Sequence, residues 1–313
     1  MGRARGSGVK LAAAFETTVG VTPGSNFLTL PFVTHTLGEE RPLIESDLLG
    51  AGREPQDPTL DVATNTGDIV VPVDVRNFGY WLKLFLGAPV SATGSGGEEV
   101  HTFTSGASAL PSMSIEIGSP EVPSYSTHYG ARGDKLKISM ARSGNLSATC
   151  SLIAIGESVE APSSVAGTPT ALAVLRFLQA TGAITKDGAT LGTVVSADFT
   201  FTNTLEAIEV IKADGRIADS DPGMVGFTGT LTVLFDSLTL LNAATNGTPI
   251  ALTFGWTNGV HSLVFTVGRV FLPRPKKPVS GPKGIQLSFS LQASGAGGHT
   301  VTAVLTNDVA SYA

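Results

Sequence analysis

The second half of this chain repeats the first, and no other feature constrains its fold as strongly. Residues 130–144 align without a gap on residues 281–295, with six of the fifteen positions identical. The match continues upstream in the same order. Thr66-Gly67, Val71 and Asp74 fall on Thr228-Gly229, Val233 and Asp236, and Gly52-Arg53 and Asp57-Pro58 fall on Gly215-Arg216 and Asp221-Pro222. Thr34-His35-Thr36-Leu37 falls on Thr202-Asn203-Thr204-Leu205. Four ordered matches read as a tandem duplication, with one domain over residues 1–160 and a second over 161–313. A length of 313 residues accommodates two domains of ordinary size.

The chain is 42% hydrophobic and only 15% charged, with 37 glycines, which excludes a disordered chain and fits a packed, turn-rich β protein. A net charge of −6 argues against general affinity for nucleic acid. The single cysteine, Cys150, allows no intramolecular disulfide and no cysteine metal cluster, and reads as a small buried hydrophobe. No apolar run reaches the roughly 18 residues that span a bilayer. The apolar stretch 11–15 behind the basic N-terminus (1–10) is too short for a signal-peptide core, so a soluble protein made in a cytoplasm is expected.

Period-two alternation marks the strands. Leu136, Ile138 and Met140 alternate with Lys135, Lys137 and Ser139, and Leu287, Phe289 and Leu291 with Gln286, Ser288 and Ser290. One apolar face per strand means half-buried antiparallel strands. Met113, Ile115 and Ile117 alternate in the same way, as do Leu263, Phe265 and Val267. Helical spacing occurs once per half. Phe78, Trp81, Leu82 and Phe85 sit at i, i+3, i+4 and i+7 between Asp74 as N-cap and Gly87 as stop; Leu238 and Leu241 sit between Asp236 and Gly247. Each helix directly follows a strand. The stretch 91–99 reads as a Ser/Gly loop, 157–169 as a linker, and 172–177 with the hairpin-like Lys186-Asp187-Gly188 as the opening of the second domain.

Catalytic and metal chemistry find no support. The five histidines (His35, His101, His128, His261, His299) show no ligand spacing. Glycines 94, 96 and 97 lack the lysine and helix of a phosphate loop, and no serine stands in a nucleophile elbow. Arg132-Gly133-Asp134 reads as a turn before a strand. Neither an enzyme nor a cofactor is expected. Two loops carry opposite charge: residues 45–61 are acidic through Glu45, Asp47, Glu54, Asp57 and Asp61, and 269–283 are basic through Arg269, Arg274, Lys276, Lys277 and Lys283. They read either as two solvated surfaces or as complementary faces that set the register between subunits or stacked rings.

The chain resembles the major tail tube proteins of bacteriophages with long non-contractile tails. The resemblance rests on an apolar strand from Val9, the run Phe15-Glu16-Thr17-Thr18-Val19-Gly20-Val21-Thr22-Pro23 and the run Phe27-Leu28-Thr29-Leu30-Pro31. It continues through the long acidic loop, the segment from Gly67 that feeds a helix over 77–86, and the strand over 284–294. It implies a mainly β fold: two tandem tail-tube-like β-sandwich or half-barrel domains, each with one flanking α-helix. Inner strands of six such domains would join into one barrel around a lumen, which also removes exposed strand edges. With two domains per chain the expected ring is a homotrimer of pseudo-sixfold symmetry, or a homohexamer if only one copy lines the lumen.

The same resemblance implies the virion tail as the location, with tape-measure, tail-terminator and distal tail proteins as partners and DNA passing without specific binding. Polar lumen residues would come from Thr34, Thr36, Thr200, Thr202 and Asn203. The charged loops Glu45, Asp47, Glu54, Asp57 and Asp61 and Arg269, Arg274, Lys276 and Lys277 would make contacts between rings. Another virion part, such as a terminator, connector or decoration protein, is the alternative reading; a β-sandwich binding module would want an exposed aromatic platform, and aromatics are only 7%.

Overall fold

The computed structural model of the chain describes residues 3–50, 52–279 and 281–312. The basic N-terminus thus extends outside the described residues at Met1 and Gly2, and the two charged loops do so at Ala51 and Ser280.

Strands dominate. The chain opens with β1 (Lys10–Phe15) and the short strands β2 (Leu28–Thr29), β3 (Thr34–His35), β4 (Gly38–Glu40), β5 (Leu43–Ile44) and β6 (Thr59–Leu60). Next come β7 (Thr64–Pro72), helix α1 (Phe78–Leu86), and the hairpin β8 (Val90–Thr93) and β9 (Glu99–Thr104). The first half closes with β10 (Met113–Ser119), β11 (Ser124–Met140), β12 (Ser147–Ala154) and β13 (Gly156–Glu157). The second half begins with β14 (Thr170–Ala171), β15 (Ala183–Lys186), β16 (Ala189–Thr190), β17 (Val194–Thr202), β18 (Leu205–Ile208) and β19 (Asp219–Pro222). It ends with β20 (Gly226–Leu234), α2 (Thr239–Asn246), β21 (Ile250–Asn258), β22 (His261–Phe271), β23 (Gln286–Ala293) and β24 (Thr302–Asn307).

Two antiparallel layers form the body. The first runs β3/β4, β7, β12, β11, β17, β20, β23. The second runs β8, β9, β24, β22, β21, β15, β16. Their apolar faces meet where Phe199 of the first layer packs against Phe254 and Phe265 of the second, with centroids 4.9 and 5.2 Å apart. The front part of β11 leaves the first layer and pairs with β10, which carries β1 and β2.

The two halves are woven together. Each layer crosses between them, by β11–β17 in the first and β9–β24 in the second, and one contiguous core draws on both. The C-terminal tail reinforces the weave. The Tyr312 hydroxyl donates to the Arg76 carbonyl (2.7 Å), Asn307 Nδ2 donates to the Val75 carbonyl (2.6 Å), and the Arg76 guanidinium holds Asp308 through both carboxylate oxygens. Sheet neighbours put β12 beside β7 and β23 beside β20, whereas the letters align β23 with the rear of β11.

Several local expectations need correction. Helix α1 flanks the sheet as expected, but eight of its nine residues are buried, because the second layer and the C-terminal tail close over it. Asp74 does accept from the Asn77 amide (3.1 Å), but the cap position is Asn77 and the helix starts at Phe78. The stretch expected as a Ser/Gly loop is mostly the β8–β9 hairpin. Arg132-Gly133-Asp134 is not a turn but lies inside β11 at a break in its register with β12. There Arg132 is buried against Asp219 (2.7 Å) and a Cβ on Gly133 would meet the Phe85 ring. Strand β10 is buried on both faces, since Glu116 reaches into the linker and accepts from Ser164 Oγ and the Val165 amide, both at 2.5 Å. Residues 172–177 contain no strand; the hairpin at Asp187-Gly188 forms as expected, with both residues at positive φ.

Candidate functional site: a polar sheet face and its two ends

The outward face of the first layer is built from the residues that alternate with its core. Hydroxyls dominate it: Thr64 and Thr66 on β7, Ser147, Thr149 and Ser151 on β12, Thr200 and Thr202 on β17, Thr228, Thr230 and Thr232 on β20, Ser288 and Ser290 on β23. Register aligns them into rows across the sheet. One row reads Thr34, Val70, Thr149, Lys137, Thr200, Thr228, Gln292. The charges on this face nearly balance, Lys135 and Lys137 against Asp68, Asp198 and Glu40, the last beside Thr64 at the β4 edge. A Thr/Ser face at near-zero net charge offers short, rigid side chains and no cluster of cations to hold a phosphate backbone.

Of the expected lumen residues, Thr34 and Thr36 stand exposed at one edge of this face and Thr200 and Thr202 near its middle. Asn203 does not. It is 2% exposed, and its Nδ2 donates to the carbonyls of Phe85 (2.9 Å) and Gly133 (2.8 Å). It continues the odd-numbered parity of Ala197, Phe199 and Phe201, all buried, so the alternation that turns Thr200 and Thr202 outward turns Asn203 toward the core. Lys135, Lys137, Asp68 and Asp198 escaped the sequence-based selection, although the alternation around Leu136 and Ile138 already put both lysines on a polar face.

Among the described residues neither edge of the layer is completed by a further full strand, although the Glu39 amide on β4 is taken by the Glu157 carboxylate and Pro273 lies beside Ser290 and Gln292 of β23. On one side β3 and β4 pair only with β7. On the other, β22 joins β23 only at Val270 and Phe271. The reason is chemical. The Ser294 amide donates to Arg269 O (2.9 Å), so residues 269, 271, 273 and 275 share the parity that turns their amides toward β23. Pro273 and Pro275 have no N–H, and pairing stops. The Ile285 carbonyl accepts from Phe235 on the β20 side; the alternate residues Gln286, Ser288 and Ser290 therefore direct their backbone groups to the free edge.

The two expected charged loops occupy opposite ends of the strands. β7 and β20 run in the same direction through the alternating layer. The acidic loop with Glu45, Asp47, Glu54 and Asp57 lies between β5 and β6, and with Asp61 it precedes the start of β7; the β18–β19 hairpin likewise precedes the start of β20. Arg274, Lys276, Lys277 and Lys283 lie on the segment leading into β23, whose start at Gln286 pairs with the end of β20 at Leu234. Lys277 Nζ sits 4.4 Å from the centre of the Phe235 ring there. Arg269 stands apart, on β22, 5.6 Å from the Phe271 ring. The structure does not bring the acidic and basic sets together within one chain.

The end carrying the acidic loop is braced across the halves. Arg216 forks onto Glu39 (2.7 and 2.9 Å) and donates to the Glu157 carbonyl (2.8 Å). Glu39 and Glu157 each accept the other's backbone amide. Burial works against the Glu39 charge, but the hydrogen bonds from Arg216 and the Glu157 amide hold its carboxyl below the ordinary range. Apolar side chains crown this end in solvent: Leu48, Leu49, Val210, Ile211 and Met224 are all at least half exposed.

Among the described residues no cluster of His, Cys, Asp or Glu is arranged to hold a metal, and no helix is long and apolar enough to cross a membrane. No curated protein matches the chain. The sequence model described as phage tail tube protein matches residues 6–293, which takes in the polar layer, both loop-bearing ends and the interwoven halves. This chain belongs to the phage tail tube protein family, a family of structural proteins and not of enzymes.

Proposed function

We propose that three copies of the chain close edge to edge into a ring, with the polar layer lining the bore, and that rings stack into the hollow tail tube through which phage DNA passes. The observation that carries this reading is the unbroken polar layer with an incomplete edge on each side. Closure would pair the β3/β4 edge of one copy with the β23 edge of the next and satisfy backbone groups that a monomer leaves to water.

Width favours three. Seven strand positions per chain give twenty-one for three copies. At about 4.8 Å between strands and a tilt of about 40° that is a backbone diameter of roughly 40 Å, enough for a DNA duplex with side chains in place. Two copies would give roughly 28 Å, too narrow once side chains are added, and six would give roughly 80 Å. The hydroxyl-rich, nearly charge-balanced face suits DNA that slides without sticking.

The 1–160 and 161–313 halves are the duplicated units in this reading. What supports it beyond the letters is the pair Gly67 and Gly229, each the fourth residue of a nine-residue strand. A Cβ at Gly67 would lie 2.5 Å from the Leu37 backbone, and one at Gly229 2.9 Å from Phe199 Cα. The same close crossing in both halves explains why both need glycine. The acidic end of one ring would meet the basic end of the next, and tape-measure, terminator and distal proteins would fill and finish a siphophage-type tail.

Electron microscopy of the purified chain at high concentration tests the proposal. Hollow tubes with three chains per ring are expected. Six chains per ring would retain the tube and exclude the closure argued here; single closed rings that never stack would favour a terminator or connector.

A further inference from the structure

The end of the molecule opposite the acidic loop carries a groove of about 710 Å³. Met140, Ile184, Leu191, Val194, Val195 and Leu234 form its apolar wall, and Arg142 stands at its rim. Val195 and Leu234 are 41% and 43% exposed there, an unusual position for β-branched and aliphatic side chains with no cover. At the other end the loop of the β18–β19 hairpin projects Val210 and Ile211, 50% and fully exposed, with Glu209 beside them. Knob and groove lie at opposite ends of one strand pair. Val194 and Leu234 are the first residue of β17 and the last of β20, and the hairpin joins the other ends of the same two strands.

We infer that the Val210–Ile211 tip of one copy inserts into the Val195–Leu234 groove of a second copy in the next ring. The inference rests on the tube reading above and adds to it that stacking is held by an apolar plug, with loop charges setting the register around it. A copy moved along the strand direction brings the tip of β18–β19 to the groove end of β17 and β20. The charges agree: Lys212, next to Ile211, is paired inside the loop with Asp214 (3.8 Å), which leaves Glu209 flanking the tip opposite Arg142 at the groove, so attraction favours this approach. The occupant is a second copy because tip and groove match in apolar character and in the sign of their flanking charge.

The test is a disulfide trap. With the native thiol Cys150 fully buried, Ile211→Cys combined with Val195→Cys should produce, under mild oxidation of assembled tubes, a ladder of linked chains on non-reducing gels, and neither single variant should do so. A companion variant, Ile211→Glu, should keep rings while shortening tubes by about tenfold or more, the scale expected for losing one buried aliphatic contact per chain. Tubes of unchanged length from Ile211→Glu, or trapping through Leu49→Cys in place of Ile211→Cys, would overturn the plug while leaving the tube intact. Wild-type protein that forms no tube would overturn the functional reading itself, and the plug with it.

Discussion

The β7–α1 and β20–α2 regions begin alike and end differently. Each opens with a nine-residue strand whose fourth residue is a glycine under a crossing backbone, and each helix stops at a glycine with positive φ, Gly87 and Gly247. Yet α1 is buried along almost its whole length, while α2 buries only Leu240, Leu241 and Ala244. The helix sequences differ first: α1 is apolar or glycine at every position but Lys83, whereas α2 carries Thr239, Asn242, Thr245 and Asn246. Strand β9 and Tyr312 then close over α1, where Tyr312 packs edge-on against Tyr80 and His101 (4.9 and 4.7 Å) and a Cβ on Gly79 would run into its ring. No further segment arrives to cover α2. Similar strand openings and glycine stops therefore bracket an apolar core helix in one place and a half-polar, half-exposed one in the other.

The comparison can be broken by experiment. Phe85→Ala should cost about 3–5 kcal/mol, because the ring fills space between layers that cannot collapse. Leu241→Ala on α2 should cost about 2 kcal/mol or less, since solvent is near and the site can relax. Urea denaturation of both variants checks this, and equal losses would mean that α2 is covered as deeply as α1.

Gly67→Ala and Gly229→Ala sharpen the part that is shared. Each forces a Cβ into a neighbouring backbone and should destabilise by about 1–3 kcal/mol. A large loss at one position and none at the other would refute equivalent crossings.

The tail offers smaller effects. Tyr312→Phe removes a hydroxyl that donates to Arg76 O and accepts from Asn307, for about 1 kcal/mol by thermal melting. Hydrogen bonding to Arg76 holds the Asp308 carboxyl below its ordinary range. That contribution is complete above the unfolded value of about 3.9 and is lost as pH falls through the folded one. Melting curves of Asp308→Asn and wild type should therefore differ at pH 7 and converge as the pH falls below the depressed folded value. With Asp308 half exposed the difference at neutral pH should be under about 1 kcal/mol. Least of all should Lys137→Thr matter to folding, within about 0.5 kcal/mol, since Lys137 points off the sheet. Under the proposed function its effect would fall on DNA passage instead.

Much of the fold was legible because alternation is a local signal. The buried sets Leu136, Ile138, Met140 and Leu287, Phe289, Leu291 emerge on the core side as expected, and the helices stand where their spacing and glycine stops put them. The candidate surface was legible only in part. Thr200 and Thr202 follow from the same alternation, but that they share one face with Lys137 and Thr149 depends on β11 pairing with both β12 and β17, across a long separation in the chain. Asn203 illustrates the limit from the other side. Its parity with Phe199 and Phe201 already turns it inward, but the Phe85 and Gly133 carbonyls that satisfy its amide there come from distant parts of the chain.

What the sequence determined by itself was the set of strands and which side of each is apolar, because side-chain direction in a strand depends on residue parity alone. It also determined the ends of the helices and the end of β22, where glycine geometry and the missing proline donors act locally. Only the tertiary structure decided that the two halves share one core and that the acidic and basic loops stand at opposite ends. Those outcomes depend on strand order and on where the last strand docks, which are set by the burial of surfaces contributed by both halves.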